Sequence, residues 1–432
     1  MGRMLYIITL ISTLFVSCST PQTKRDTELC YAPRYAKGFS IERDRASGAT
    51  LLHIQNPWQG AEDVEFYHEI ATPAKRIVAL SSSYVAMLDA IGAAERIVGV
   101  SGARFISTPS VREAIDQGRV ADVGYDSVFD FERVKALGTD LVLLYGIAGE
   151  AKIISDKLTE LGIPYIYIGD YIESDPLGKA EWVVALGYLC GMEEQGKTFF
   201  AGVEERYNAL RNRQHCSAYH PRVMLNLPYR DTWFMPPHGS YMVRLIEDAG
   251  GEYILKTRDE RRETREGEQQ TRDERRETRE NAECKTDAAE REQRVLAHYA
   301  EPRGGKACEA GLMQNAKLDK ANGQKLMAKS QNSSMPISLE EALLLAMKAD
   351  FWINLGQIAS KEELCATVPR FAGVDAVKFG RLYNNTKRTT ESGGSDFWES
   401  GAVRPDLILR DLVKILHYEA PTDSLYYYKK ME

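Results

Sequence analysis

The sequence predicts an α/β protein of two lobes with parallel sheets, joined by one long helix, with a ligand cleft between the lobes and a charged, disordered insertion in the second. Three observations predict it. Apolar runs such as RIVALSS (76–82) and LVLLYG (141–146) alternate with amphipathic helical stretches, the pattern of a parallel sheet covered on both faces. A helical run over 179–213 is longer than an ordinary crossover helix and separates two such series. Residues 256–332 interrupt the second series with a polar, highly charged stretch.

The elements follow in order. GFSIERD (38–44) and ATLLHIQNP (49–57), around a Ser-Gly turn, read as a β-hairpin after a polar tether over 19–35. The first lobe, 73–178, has strands at 76–82, 98–102, 141–146 and 164–171, with helices at 83–97, 131–140 and 151–162. The linking helix takes 179–213. The second lobe, 214–432, has strands at 222–230, 252–255, 350–356 and 376–385. Its helices are expected at 240–251, 338–349, 361–371 and 406–417, the last with Pro405 suited to a first turn.

Composition narrows the function. The 432-residue chain is 44% hydrophobic and 27% charged, as expected of a globular protein. A formal net charge of -7 argues against nucleic acid as a partner, since phosphate neutralisation needs a basic surface. Seven cysteines form no CxxC pair, and the seven histidines show no HExxH spacing. Ser81-Ser82-Ser83 lacks the GxSxG elbow, and SGGSD (392–396) lacks the lysine of a phosphate loop, so the chain is not read as an enzyme.

At the N-terminus, Arg3 precedes an apolar run from Met4 to Val16 and then Ser17-Cys18. The run has signal-peptide length (1–17) and is short for a bilayer span. Ser17-Cys18 resembles a bacterial lipobox, which implies acylation of the Cys18 thiol; an ordinary signal peptide with a coincidental cysteine is the alternative. The expectation is an exported chain anchored by lipid, facing the periplasm from the outer face of the cytoplasmic membrane or the inner leaflet of the outer membrane.

Five segments carry a resemblance: PAKRIVALSSSYVAMLDAIGAAERIVGVSG (73–102), DFERVKALGTDLVLLYG (130–146), SYMVRLIEDAGGEYIL (240–255), SLEEALLLAMKADFWINLG (338–356) and DFWESGAVRPDLILRDLVKILH (396–417). Their order and spacing resemble the class III substrate-binding proteins of ABC importers, which have two Rossmann-like lobes joined by a rigid helix. Gly138-Thr139 stands where that family usually has Lys-Pro, and 256–332 has no counterpart in it. The resemblance implies a monomer without an intrinsic cofactor. It would capture an iron chelate (siderophore or haem) or cobalamin and deliver it to an ABC importer permease. A transporter-independent haem- or porphyrin-capturing lipoprotein, or a chelatase, is the alternative.

Ligands of open parallel sheets bind beyond the carboxyl ends of the strands. The candidates there are Ser81, Ser82, Tyr84, Arg104, Tyr125 and Tyr145 in the first lobe. In the second they are Tyr229, Arg230, Trp233, Asn354, Asn384 and Asn385. Aromatic faces, amides and guanidinium forks suit a large, flat or macrocyclic ligand with negative charge, although several of the tyrosines are equally suited to core packing. His238 is the one histidine placed to serve a metal complex. The resemblance implies permease docking through one glutamate per lobe, Glu132 and Glu340, with Glu341 an alternative to the latter. Both acids also suit a helix N-terminus.

The insertion opens with TRDERRETRE at 257–266, repeated unchanged at 271–280. Thr-Arg-acid recurs every seven residues, yet no heptad position is apolar, which excludes a coiled coil. Arg258/Arg262, Asp259/Glu263 and Arg261/Arg265 are like-charged i,i+4 pairs that disfavour a lone helix. Deleting 257–330 is therefore expected to leave a folded, ligand-competent protein. Far-ultraviolet dichroism and ligand titration check this, and lost binding would make the insertion a working part.

Overall fold

The computed structural model describes residues 25–255 and 335–432, apart from 63, 126–127, 147–149, 215–218, 231 and 419–420. The signal-like segment, Cys18 and the insertion lie outside the described residues.

The N-terminal region is a four-stranded antiparallel sheet of β1 (Thr27–Tyr31), β2 (Phe39–Asp44), β3 (Thr50–Gln55) and β4 (Glu65–Glu69), in that order. The expected hairpin is its centre, β2 and β3. The tether expected over 19–35 is corrected: Thr27–Tyr31 is an edge strand, and its exposed, polar side chains hid it from hydrophobic patterning.

The first lobe follows with β5 (Ile77–Ala79), β6 (Ile97–Val100), β7 (Ala121–Asp122), β8 (Leu141–Leu144) and β9 (Tyr165–Tyr167). All are parallel, in the order β7-β6-β5-β8-β9. Helices α1 (Ser82–Ala90), α2 (Pro109–Asp116), α3 (Phe131–Ala136) and α4 (Glu150–Glu160) connect them. Every residue of β5, β6 and β8 is buried, which explains their uninterrupted apolar runs.

The linking run is helical but not one helix. It divides into α5 (Pro176–Leu189) and α6 (Glu193–Gln214) at Gly191, whose φ of 63° is left-handed. Helix α6 folds back on α5 across Gly187 and Gly196, where a Cβ on Gly187 would stand 2.9 Å from the Met192 carbonyl oxygen. Helix α5 is buried at every position except Lys179 and Tyr188.

In the second lobe β10 (Arg222–Leu225), β12 (Glu252–Tyr253), β14 (Phe351–Ile353), β15 (Leu382–Asn384) and β16 (Lys429–Lys430) form a sheet in the order β12-β10-β14-β15-β16. Only β16, from the C-terminal tail, is antiparallel. Between them β11 (Thr232–Met235) pairs with β13 (Met335–Ser338) as an antiparallel ribbon, so the chain is back in register three residues before the expected restart at Ser338. Helices α7 (Tyr241–Asp248), α8 (Leu339–Ala346), α9 (Lys361–Thr367), α10 (Asp375–Lys378) and α11 (Pro405–Tyr418) complete the lobe. The strand expected over 376–385 begins as helix α10, and Gly380, at φ 63°, turns the chain into β15.

Buried carboxylates fasten the irregular segments to this frame. Glu181 of α5, fully buried, accepts from the Arg34 N–H at 2.9 Å, Tyr35 N–H at 2.8 Å, Ala36 N–H at 2.9 Å and Tyr31 hydroxyl at 2.7 Å. Glu173 accepts from the Lys37 and Gly38 N–H groups and from the Trp182 indole. Asp411 of α11 takes the N–H groups of Tyr426, Tyr427 and Tyr428 and so docks the tail that carries β16. A buried N–H without a partner is costly, so each carboxylate fixes a stretch that no sheet or helix could satisfy. Glu181→Leu should lower stability by about 3 kcal/mol by orphaning these donors, read as a shift in urea midpoint without loss of the lobes' secondary structure.

Candidate functional site

The carboxyl edges of the two sheets carry matching features. In the first lobe, Asp122 at the end of β7 accepts from the Gly102 and Ala103 N–H groups, holding the turn after β6. That turn presents Arg104 over the ring of Phe105, 4.5 Å from guanidinium to centroid. In the second lobe, Tyr229 and Thr232 close a tight turn after β10 and present Arg230 over the Tyr229 ring at 5.3 Å. Each edge thus exposes one arginine stacked on its neighbouring aromatic, an arrangement that suits flat anionic groups.

Backbone strain marks the second edge. Asn226 and Asn354, the residues after β10 and β14, have φ of 63° and 61°, and Arg230 has φ of 54°. The Trp352 indole donates to the Asn226 carbonyl at 2.7 Å, and the Trp233 indole to the Leu225 carbonyl at 2.9 Å. These buried tryptophans, 5.3 Å apart, fix where the strands end.

The lobes meet in a contact that the sequence analysis did not foresee. Glu399, fully buried, accepts from the Ser107 N–H at 2.8 Å and the Thr108 N–H at 2.6 Å, and Thr108 also donates its hydroxyl. Ser107 further donates its hydroxyl to Asp396 at 3.3 Å. A Cβ on Gly394 would stand 2.0 Å from the Phe105 carbonyl oxygen, so the two lobes touch at backbone distance. Beside this contact Phe105 and Trp398 are exposed. The Gly393-Gly394 pair and the aromatic-acid string after it were the available signals.

The candidates fall into three groups. Arg104, Tyr125, Tyr229 and Arg230 are exposed at the carboxyl edges, and Tyr145, after β8, is partly covered. Ser81 caps α1, its Oγ accepting from the Ser83 N–H; it and Ser82 are half-buried. The rest lie inside. Tyr84 is fully buried, its hydroxyl donating to the Ile168 carbonyl at 3.1 Å, so this tyrosine closes the core. Trp233 does the same under β10. Asn384 is buried and donates to the Gly356 and Ile358 carbonyls, bracing the loop after β14; Asn385 is buried beside it. Asn354 is buried against the Tyr428 hydroxyl. The alternation of apolar and polar residues at strand ends could not distinguish a side chain turned inward from one turned to the edge.

His238 is committed within its own loop. Its Nε2 meets the Leu255 carbonyl and its ring packs edge-on to Tyr253 at 5.4 Å. Among the described residues no group of three or more His, Cys, Asp or Glu side chains could hold a metal ion.

Glu132 and Glu340 are both exposed. Asp130 caps α3 and Ser338 caps α8, which puts Glu132 and Glu340 each two residues after the cap. Glu341 follows one position later in the same first turn. Strand entrances match as well: Asp140 accepts from the Arg76 N–H before β5, and Asp350 from the Arg222 N–H of β10.

The family model described as periplasmic binding protein matches residues 77–274. Over that segment the chain is similar to the periplasmic binding protein family. The fold resembles a possible iron-binding (periplasmic solute-binding) protein of Staphylococcus epidermidis, at TM-score 0.51 and 14% identity, covering 80% of this chain and 100% of that one. It also resembles a periplasmic heme binding protein of Pseudomonas aeruginosa, at TM-score 0.50 and 14% identity, covering 83% and 98%. Two uncharacterised lipoproteins of Methanocaldococcus jannaschii are similar in sequence. One is 28% identical over 81% of this chain and 67% of its own length, the other 25% identical over 52% and 58%. Among the described residues no helix is long and apolar enough to cross a membrane.

The inter-lobe carboxylate is sensitive to pH in a defined direction. Burial pushes the Glu399 carboxyl above its ordinary range, against the hydrogen bonds that pull it down. A carboxyl whose folded pKa is raised contributes stability below its unfolded pKa, and loses it as pH rises through the folded value. The thermal midpoint of the protein should therefore fall on going from mildly acidic to neutral pH, and Glu399→Gln should flatten that part of the profile. A Gly394→Ala variant should lose the contact outright, read as increased solvent exposure of Phe105 and Thr108 by hydrogen exchange or footprinting.

Proposed function

We propose that this protein works as a periplasmic binding protein that captures an iron chelate, either siderophore or haem, or a cobalamin, and delivers it to the permease of an ABC importer. The observation that carries the reading is the pair of arginine-on-aromatic edges, Arg104 on Phe105 and Arg230 on Tyr229. The exposed faces of Tyr125 and Trp398 add to it. Guanidinium forks pair with the carboxylates of such ligands, and the aromatic faces cover their rings or catecholates. The solved proteins with the same fold include one described as possible iron-binding and one as heme binding, which favours this ligand class.

Docking falls to Glu132 and Glu340, whose equal distance from their helix caps supports equivalent roles in the two lobes. Glu340 lies 3.3 Å from Arg370, an exposed pair weak enough to be exchanged for a permease cation. Cys18 is the lipid attachment point in this reading, in keeping with the two relatives named as lipoproteins. The chain is then exported and held at a membrane facing the periplasm.

Absorbance titration with haem, cobalamin and a ferric siderophore, together with quenching of the exposed Trp398, tests the ligand. Dissociation constants in the micromolar range or below are expected, and none tighter than about millimolar would overturn the reading. The double variant Glu132→Ala, Glu340→Ala should abolish uptake with ligand affinity unchanged. Undiminished uptake would favour transporter-independent capture.

A further inference from the structure

On the face formed by α6 and α11, a cavity of about 610 Å³ opens between Leu210, Arg213, Arg410, Val413, Lys414 and His417. A second, of about 270 Å³, continues it along the same helices and shares Leu210, Arg213 and Arg410. The lining is cationic although the chain as a whole is acidic, at -7. Its one lining carboxylate, Asp406, is already engaged by Arg206 at 2.7 Å and Arg404 at 2.9 Å.

Among the described residues neither Arg213 nor Arg410 forms a salt bridge, and Arg410 acts on the Asp411 carboxylate only through its charge. Arg410 Nε is buried without a hydrogen-bond partner. The carboxylate next to it in sequence, Asp411, is turned to the N–H groups of 426–428. Basic residues are common in the last turn of a helix, where they meet the macrodipole, which accounts for Arg213 and His417. It does not account for Arg410, two turns before the end of α11, nor for a buried guanidinium donor left unpaired.

We propose that this groove is a second binding site, for an amphiphilic phosphate. The phosphate sits between Arg213 and Arg410, where two guanidinium groups supply paired donors, and Lys414 adds charge. Leu210, Leu407 and Val413 receive the apolar remainder of the ligand. The combined size lies within the usual range for small-molecule sites. A soluble phosphate ester and a phospholipid headgroup share this chemistry.

The full chain is tested in two arms: calorimetric titration with glycerol 3-phosphate, and co-sedimentation with phosphatidylglycerol vesicles against phosphatidylcholine vesicles. Binding in the first arm identifies a soluble ester, and phosphatidylglycerol-dependent binding in the second alone identifies a headgroup. In either case Arg410→Gln and Arg213→Glu should weaken binding by about tenfold or more, and Lys378→Glu, at a residue that lines neither cavity, should not. Arg213 is exposed, so its variant keeps the test valid should Arg410→Gln unfold the chain. Absence of binding in both arms, or equal weakening by Lys378→Glu, overturns the proposal.

Discussion

A buried carboxylate accepting several backbone N–H groups is the interaction on which the rest of this structure depends. Glu181, on the most deeply buried helix, receives four donors from residues 31–36 and thereby seats the whole N-terminal sheet. Its placement is possible because each donor is otherwise unpaired and each lone pair is used. A negative charge withdrawn from water is tolerated only under such full satisfaction. Glu173, Asp411 and Glu399 repeat the device at the hairpin, the C-terminal tail and the junction of the lobes.

The device has a consequence for function. A surface that binds a ligand gains affinity when its parts are held in place beforehand. Here the Glu399 contact ties residues 105–108 of one lobe to residues 394–399 of the other, directly beside exposed Phe105 and Trp398. The same contact anchors the turn that presents Arg104. In the second lobe the two buried tryptophans and the left-handed Asn226 and Asn354 fix the opposite edge. Both walls are therefore set by packing beneath them, and the exposed arginines sit on rigid supports.

The sheets, their alternation with helices and the glutamate-bearing helices were legible because they follow from local periodicity. Residues such as Val78, Val142 and Ile353 are buried on both sides of a sheet, so their apolar runs admit few other readings. The edge strand Thr27–Tyr31 and the tail strand Lys429–Lys430 were not legible. Their side chains are partly exposed and show no apolar alternation, and distant carboxylates hold the chain beside them, Glu181 at residues 34–36 and Asp411 at residues 426–428. The break at Gly191 was hidden for a related reason: both flanking segments are strongly helical, and only the packing of α6 on α5 requires the turn.

By itself, then, the sequence determined the fold class and the family likeness, and it proposed aromatics, amides and two arginines at strand ends as candidates. Tertiary structure decided which of them reach the edge. Tyr84, Trp233 and Asn384 turn inward because buried carbonyls nearby need their donors, whereas Arg104 and Arg230 remain outside on aromatic neighbours. Only the fold could bring Glu399 to Thr108, nearly three hundred positions apart in sequence. Hydrophobic periodicity is a local property of the chain, whereas pairing a buried polar group is settled only when the whole chain has folded around it.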